Sequence, residues 1–126
     1  QLTSIYAFVV NYSADNPANP DGFAMRPHRD DSIITFNICI DAEPETSSKL
    51  KFYGHEPSVP FPRIVKGSRA REMETVVHQK KGSGIFHRGA HLHSVDQSSS
   101  TTRCNLVLWV LADETDVDRD RLILTT

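Results

Sequence analysis

The sequence lacks several features that would assign it to common protein classes. Its 126 residues include only two cysteines, too few for a disulfide framework. No apolar run approaches the ~20 residues that a membrane-spanning helix needs, so no membrane segment is expected in this chain. Fourteen Lys and Arg against sixteen Asp and Glu give a net charge of −2, without the basic excess typical of a general nucleic-acid-binding protein.

The first residues also lack the features of a signal peptide or of a natural start. The segment QLTSIYAFVVNYS has no initiator Met and no basic region, and a strand-like run begins almost at once. We therefore expect residues 1–126 to be a single domain, excised from a longer chain. The low cysteine content favours a reducing compartment, which predicts an intracellular protein of the cytoplasm or nucleus.

Alternation of apolar and polar residues is the clearest pattern in the chain. In 32–40, the residues Ile34, Phe36, Ile38 and Ile40 fall on one face, and Thr35, Asn37 and Cys39 fall on the other. Strands are predicted at 4–12, 32–40, 49–54, 73–78, 84–87, 91–95 and 103–112. Turns are predicted at 15–22, 56–63 and 95–102.

No sustained helical period is present, so the sequence predicts an all-β sandwich or barrel with little helix. The C-terminal stretch 113–126 is compatible with a helical turn or with one more strand.

Histidines are concentrated in one part of the chain, and an earlier His-Arg-Asp sequence, His28 to Asp30, lies just before a predicted strand. On extended backbone, His28 and Asp30 point to the same side. With a third ligand from a distant strand they would form a set of two imidazoles and one carboxylate. That set leaves three adjacent positions open and suits non-haem Fe(II). An ordinary surface loop is the alternative for this short motif.

A charged residue opens the strongest predicted strand. Arg103 follows His93 by ten residues and would be buried in a β core, where a guanidinium needs an anionic partner. A ligand carboxylate, gripped by two parallel hydrogen bonds, would satisfy it. A distant acid of the same protein is the alternative.

These motifs together resemble a known family. The segments HRD, SIITFNICI, GSGIFHRGAHLHSVDQ and TTRCNLVLWV look like those of the 2-oxoglutarate- and Fe(II)-dependent dioxygenases. The resemblance is greatest to the prolyl 4-hydroxylase-like branch, and within it to the 2-oxoglutarate and iron-dependent oxygenase domain-containing proteins. It runs from about Phe8 to Val110 and implies a double-stranded β-helix, a jelly roll whose mouth holds the iron.

The resemblance also implies a role for individual residues. The metal ligands, which are also the catalytic residues, would be His28, Asp30 and His93. The 2-oxoglutarate site would include Arg103, Tyr12, Asn37 and Cys39. His91 competes with His93 as the distal ligand, but the spacing to Arg103 favours His93. We interpret His78 and His87 as ordinary strand-end residues and His55 as a loop residue.

Two departures from the family pattern concern the cosubstrate site and specificity. Met25 replaces a tyrosine that some relatives carry before the first ligand, and Ser47-Ser48 replaces a Gly-Gly pair. If Arg103 points inward, as the resemblance implies, alternation along the strand points Cys104 outward, whereas Cys39 should point inward; both cysteines are therefore expected to be free.

The implied activity is hydroxylation of a C–H bond, with release of succinate and CO2. It requires Fe(II), 2-oxoglutarate as cosubstrate and O2, with ascorbate as a candidate reductant. A protein or peptide side chain is the first choice of substrate and a small molecule the second. Trp109 argues against nucleic acid, because nucleic-acid demethylases of this superfamily carry a second arginine there.

Three questions stay open at this point. The basic segment 63–71 either steers an acidic substrate or nucleic acid or forms a solvated loop. The domain is an active oxygenase, or a catalytically silent jelly roll that retains a metal-binding or interaction role. A cupin-like metal hydrolase or isomerase, which needs no cosubstrate arginine, is the remaining alternative.

Overall fold

A computed structural model describes residues 2–12, 23–43, 49–54, 68–96 and 102–112. This part of the chain contains eight strands and one five-residue helix. The strands are β1 (Leu2–Tyr12), β2 (Phe23–His28), β3 (Ile34–Glu43), β4 (Leu50–Tyr53), β5 (Glu74–Val77), β6 (Gly84–Arg88), β7 (His93–Asp96) and β8 (Thr102–Ala112). The helix, α1 (Ser68–Glu72), precedes β5.

The strands form two four-stranded sheets that face one another. The first sheet has the order β1-β8-β3-β6 and the second has the order β2-β7-β4-β5. Every pairing is antiparallel. Ile85 and Tyr12 of the first sheet pack against a buried cluster on the second, formed by Leu50, Phe52 and Val95. The architecture is a jelly roll, the all-β fold that the family resemblance implies.

Strand β3 shows how alternation sets the two faces of the first sheet. Thr35, Asn37 and Cys39 are buried, whereas Phe36 and Ile40 are 40% and 46% exposed. The predicted division into two faces is confirmed, and the polar face is the one that points inward. A small polar interior of this kind leaves room between the sheets that large apolar side chains would fill.

The outer face of the same sheet is apolar and open to solvent within the described part of the chain. Exposed large side chains on it are Ile5, Val9, Phe36, Ile40 and Phe86. The rings of Phe36 and Phe86 stack with their centroids 5.9 Å apart. A contiguous apolar surface of this kind is unusual for a free-standing domain.

Strand β2 was not predicted, because its sequence FAMRPH carries Pro27 and shows no clean alternation. The structure places it at the edge of the second sheet, where it pairs with β7. An edge position tolerates proline, since its missing N–H is not required by a second neighbour. The register shifts along the pair, which fits an irregular sequence.

Several predicted segments lie wholly or partly outside the described residues. These are the turns at 15–22 and 56–63, most of the turn at 95–102, the Ser47-Ser48 pair, the loop residue His55 and the C-terminal 113–126. Of the basic segment 63–71, the described part begins at Ser68 and forms α1 instead of a loop. No described helix is long and apolar enough to cross a membrane.

Both cysteines are free, as expected. Cys39 is fully buried on the inner face of β3. Arg103 is 2% exposed and points inward, so the next residue, Cys104, lies on the opposite face of β8.

Shortening a side chain of the buried cluster on the second sheet should leave a cavity and lower the free energy of unfolding strongly. Leu50 is fully buried, so Leu50→Ala is expected to lower the free energy of unfolding by about 2–5 kcal/mol. Ile5→Ala is the matched control, because Ile5 is 68% exposed and its loss should cost about 1 kcal/mol or less. Urea unfolding of both variants measures the difference. Equal losses would show that Leu50 is not part of the stabilising core.

Candidate metal centre and adjoining cavity

The two predicted histidine ligands are direct cross-strand neighbours. His28 ends β2 and His93 begins β7, and the two residues pair in the register of the second sheet. Paired residues of antiparallel strands project to the same side, so the imidazoles meet with their centroids 4.2 Å apart. The register therefore brings together two ligands that are far apart in the sequence.

Asp30 completes the group. Its Oδ1 lies 3.4 Å from His28 Nε2 and 3.6 Å from His93 Nε2. One ligand atom from each of the three residues lies within 4.8 Å of the others, close enough to hold one metal ion. Two imidazoles and one carboxylate are the donor set of non-haem Fe(II) oxygenases.

Hydrogen bonds to the backbone turn both imidazoles toward Asp30. His28 Nδ1 donates to the carbonyl of Arg26 at 2.8 Å, and His93 Nδ1 donates to the carbonyl of His91 at 2.9 Å. Because a carbonyl only accepts, each neutral ring carries its proton on Nδ1 and presents the Nε2 lone pair. This is the tautomer that metal binding through Nε2 requires.

The rival ligand His91 has a different environment. Its Nε2 lies 3.1 Å from the backbone carbonyl of Tyr53, and its residue precedes β7. His91 is not among the residues that converge on Asp30, and its own carbonyl supports His93. The arrangement thus favours His93 over His91, as the spacing to Arg103 does.

The loop that carries Asp30 is fixed against the turn after β6. Asp30 N donates to the carbonyl of Gly89 at 2.8 Å, and Gly89 N donates to the carbonyl of Ile33 at 3.2 Å. A Cβ on Gly89 would lie 2.0 Å from the backbone oxygen of Ser32, so only glycine allows this approach. From the start of β3, Thr35 Oγ1 donates to Asp30 Oδ2 at 2.6 Å.

The local electrostatics set two of the three groups in their metal-binding form. Burial, together with the nearby His87, lowers the pKa of His93 to about 4. Burial alone would raise the pKa of Asp30, but hydrogen bonds from His28 and Thr35 lower it overall. The hydrogen bond to Asp30 raises the pKa of His28, so this imidazole holds its proton more firmly.

His87 lies near the end of β6, as the sequence suggests, but its surroundings are not those of an ordinary strand-end residue. Its side chain is buried, its ring lies 4.6 Å from that of His93, and its Nε2 lies 3.8 Å from Asp30 Oδ2. Phe52 packs edge-on against it at 5.0 Å. His87 pairs with Thr35 across β6 and β3, and this register, which the sequence alone does not give, places it beside Asp30.

A cavity of about 280 Å³ adjoins the three converging side chains. Tyr12 and Asn37, both predicted at the cosubstrate site, line it together with all three predicted metal ligands. Most of the remaining wall is apolar and includes Phe8, Met25, Val107 and Trp109. An apolar wall with a few placed polar groups is typical of a small-molecule site.

Arg103 and Cys39 are buried behind this wall and do not line the cavity directly. Arg103 pairs with Tyr12 across β8 and β1, and its guanidinium carbon lies 4.8 Å from the centroid of the Tyr12 ring. Burial raises the pKa of Tyr12, although the nearby guanidinium opposes this. Burial likewise raises the pKa of Cys39, which keeps its thiol neutral.

A buried amide network, which the sequence analysis missed, holds Asn37. Asn105 Nδ2 donates to Asn37 Oδ1 and, at 2.8 Å, to Gln79 Oε1. Gln79 Nε2 donates to the backbone carbonyl of Asn37 at 2.6 Å. The asparagine in the middle of the apolar run RCNLVLWV was the available signal, because a buried amide needs partners.

Comparison with known proteins identifies relatives over most of the chain. The 2-oxoglutarate and iron-dependent oxygenase domain-containing protein 2 of Danio rerio is 33% identical over 112 residues, which is 88% of this chain and 28% of that protein. The Mus musculus protein of the same name is 32% identical over 111 residues, with the same coverage of 88% and 28%. The Arabidopsis thaliana protein ICU11, named in the same way, is 30% identical over 108 residues, covering 86% and 25%.

The chain thus spans about a quarter of the length of these three curated relatives, 28%, 28% and 25% respectively. A solved structure titled as cobalt(II) HppE in complex with substrate aligns with a TM-score of 0.42 and 13% identity, over 82% of this chain and 44% of that one. No protein-family model matches the chain. Over most of its residues, this chain is therefore similar in sequence to the curated 2-oxoglutarate and iron-dependent oxygenase domain-containing proteins.

Proposed function

We propose that this domain is the catalytic domain of a dioxygenase that uses Fe(II), 2-oxoglutarate and O2 to hydroxylate a C–H bond, most readily one in a protein or peptide side chain. The observation that carries the proposal is the convergence of His28, Asp30 and His93 on one point beside an apolar cavity. The names of the relatives, which specify iron and 2-oxoglutarate, support it.

The donor set fits ferrous iron. His28 and His93 would each supply Nε2, and Asp30 would supply a carboxylate oxygen. Both Nδ1–H groups are already bonded to backbone carbonyls, so the rings are oriented before a metal binds. When bound, the iron with its cosubstrate supplies the oxidation of a C–H bond to an alcohol, with release of succinate and CO2.

The inner face of the first sheet would hold the cosubstrate. Arg103 is a buried, permanent cation that would bind the distal carboxylate of 2-oxoglutarate through two parallel hydrogen bonds. Tyr12 lies between that guanidinium and the cavity and would donate its hydroxyl to the same anion. Asn37 would contribute from the cavity wall, with its orientation fixed by Asn105, while Cys39 fills space behind it.

The remaining cavity wall would receive the substrate. Its apolar side chains exclude water and match an uncharged aliphatic group, such as a peptide side chain. Trp109 lies on this wall, at the position where nucleic-acid demethylases carry a second arginine. A small-molecule substrate of similar apolar character is the alternative that a substrate panel would distinguish.

Loss of the distal ligand tests the metal site. His93→Ala should weaken Co(II) or anaerobic Fe(II) binding by roughly 100-fold or more, because it removes a metal donor and not only a supporting contact. His91→Ala is the matched control, two residues away, and should bind metal within a few-fold of wild type. Isothermal titration measures both affinities. The opposite ranking would assign the distal ligand to His91.

Loss of the buried guanidinium tests the cosubstrate site. Arg103→Ala should retain metal binding but lose the visible charge-transfer band that forms when 2-oxoglutarate is added anaerobically to the Fe(II) protein. Thermal melting of the same sample checks that the fold survives. A wild-type protein that binds iron but shows no such band would favour a silent domain or a cupin-like hydrolase over the proposed oxygenase.

The raised pKa of His28 predicts a pH dependence of metal binding. Below that pKa the metal-free protein holds a proton on His28, which the metal must displace, whereas His93, with a pKa of about 4, is already neutral. Co(II) affinity should therefore rise about tenfold per pH unit between roughly pH 5 and 6.5, with release of about one proton. Titrations in buffers of different ionisation enthalpy count the protons. Release of none would contradict the role of His28.

A further inference from the structure

The two oxygens of the Asp30 carboxylate have different surroundings. Oδ1 faces the Nε2 atoms of His28 and His93, at 3.4 and 3.6 Å. Oδ2 points to the first sheet, where it accepts a hydrogen bond of 2.6 Å from Thr35 Oγ1. The carboxylate thus presents one oxygen to the metal position and turns the other away from it.

The donor to Oδ2 is held rigidly. Thr35 is 1% exposed and lies on β3, which is paired on both sides by β8 and β6. Its single hydroxyl proton goes to Asp30, so the contact of 2.8 Å with Ser32 Oγ must be a hydrogen bond donated by Ser32. Threonine is β-branched, and its hydroxyl here acts as donor to Asp30 and as acceptor from Ser32. The side chain therefore has little freedom to change its rotamer.

The other neighbour of Oδ2 cannot replace Thr35. His87 Nδ1 donates to the carbonyl of Arg88 at 2.9 Å, so the neutral ring presents an acceptor at Nε2. That nitrogen lies 3.8 Å from Oδ2, and two acceptors form no hydrogen bond with each other. His87 closes the space beside Oδ2, and Thr35 supplies the hydrogen bond.

We propose that Thr35 is a positioning residue that keeps Asp30 a one-oxygen ligand. A carboxylate is able to bind a metal through both oxygens, and the second oxygen would then occupy one of the three positions that the triad leaves open. The proposed chemistry would need these positions for the cosubstrate and O2, so a second Asp30 oxygen on the metal would compete with them. The inference rests on the proposed function for the identity of the metal and the cosubstrate.

The test compares Thr35→Val with Thr35→Ser. Valine has nearly the same shape as threonine but cannot donate, so the 2-oxoglutarate affinity of the metal-loaded protein should fall roughly 10–100-fold, and by more than the Co(II) affinity falls. Serine retains the donor and should restore both affinities. The charge-transfer band measures the first affinity and isothermal titration the second.

A crystal structure of each Co(II)-loaded protein gives a readout that needs neither cosubstrate nor turnover. In wild type and Thr35→Ser, Asp30 should have one oxygen within about 2.2 Å of the metal, whereas in Thr35→Val it should have two. Should Thr35→Val fail to fold, Thr35→Ala offers the same comparison. One-oxygen binding in the variant without the hydroxyl would overturn the inference.

Tyr53→Phe is the control for general loss of stability. It also removes a buried hydroxyl-to-hydroxyl hydrogen bond, of 2.8 Å to Ser94, but one that does not involve Asp30. It should leave 2-oxoglutarate affinity unchanged, and an equal fall would overturn the positioning role. A wild-type protein that binds Co(II) but not 2-oxoglutarate would reject the proposed function, while the number of Asp30 oxygens on the metal would still decide the role of Thr35.

Discussion

The direct pairing of His28 with His93 in the register of β2 and β7 is the constraint on which the site depends. Backbone hydrogen bonds between two strands fix the separation of these imidazoles, and side-chain-to-backbone bonds then fix their rotation. A slip of one residue would turn one of the two rings to the other face of the sheet. The register of β2 and β7 shifts before His28, but the two histidines themselves must be paired for the site to form. The close approach of Gly89 to Ser32 then places Asp30 next to this pair.

The inner face of the first sheet carries several buried polar and charged side chains where a β-sandwich usually has apolar ones. Thr35, Asn37, Asn105 and Arg103 are all at most 6% exposed, and burial of such groups is costly unless they have partners. The amide network and the Thr35–Asp30 bond supply partners for several of them. Several large apolar side chains of this sheet, Phe36 and Phe86 among them, lie instead on the outer face. Stability must then depend strongly on the small cluster around Leu50, which also lines the cavity.

The sequence could predict which residues share a face of the sheet only where apolar and polar residues alternate strictly. The division of strand β3 into two faces followed from parity alone, whereas the inward direction of the Asn37 face came only from the family resemblance, which the ordered spacing of His28, Asp30, His93 and Arg103 indicated. Contacts that depend on strand register were not predictable, because register is a property of two segments that the sequence does not pair. For this reason, the position of His87 beside Asp30 and the contact of Asn105 with Asn37 emerged only in three dimensions.

The site is divided between the two sheets, and this division couples its chemistry to the packing of the fold. The predicted histidine ligands belong to the second sheet, whereas Thr35, Arg103 and Tyr12 belong to the first. Asp30 lies on the connection between them and touches both, through the histidines on one oxygen and Thr35 on the other. A change in the separation of the sheets would therefore alter the surroundings of the Asp30 carboxylate, since its two oxygens contact opposite walls. A metal ion held by His28, Asp30 and His93 would add a link between the second sheet and this connection, and it would stabilise the folded arrangement that brings the three side chains together.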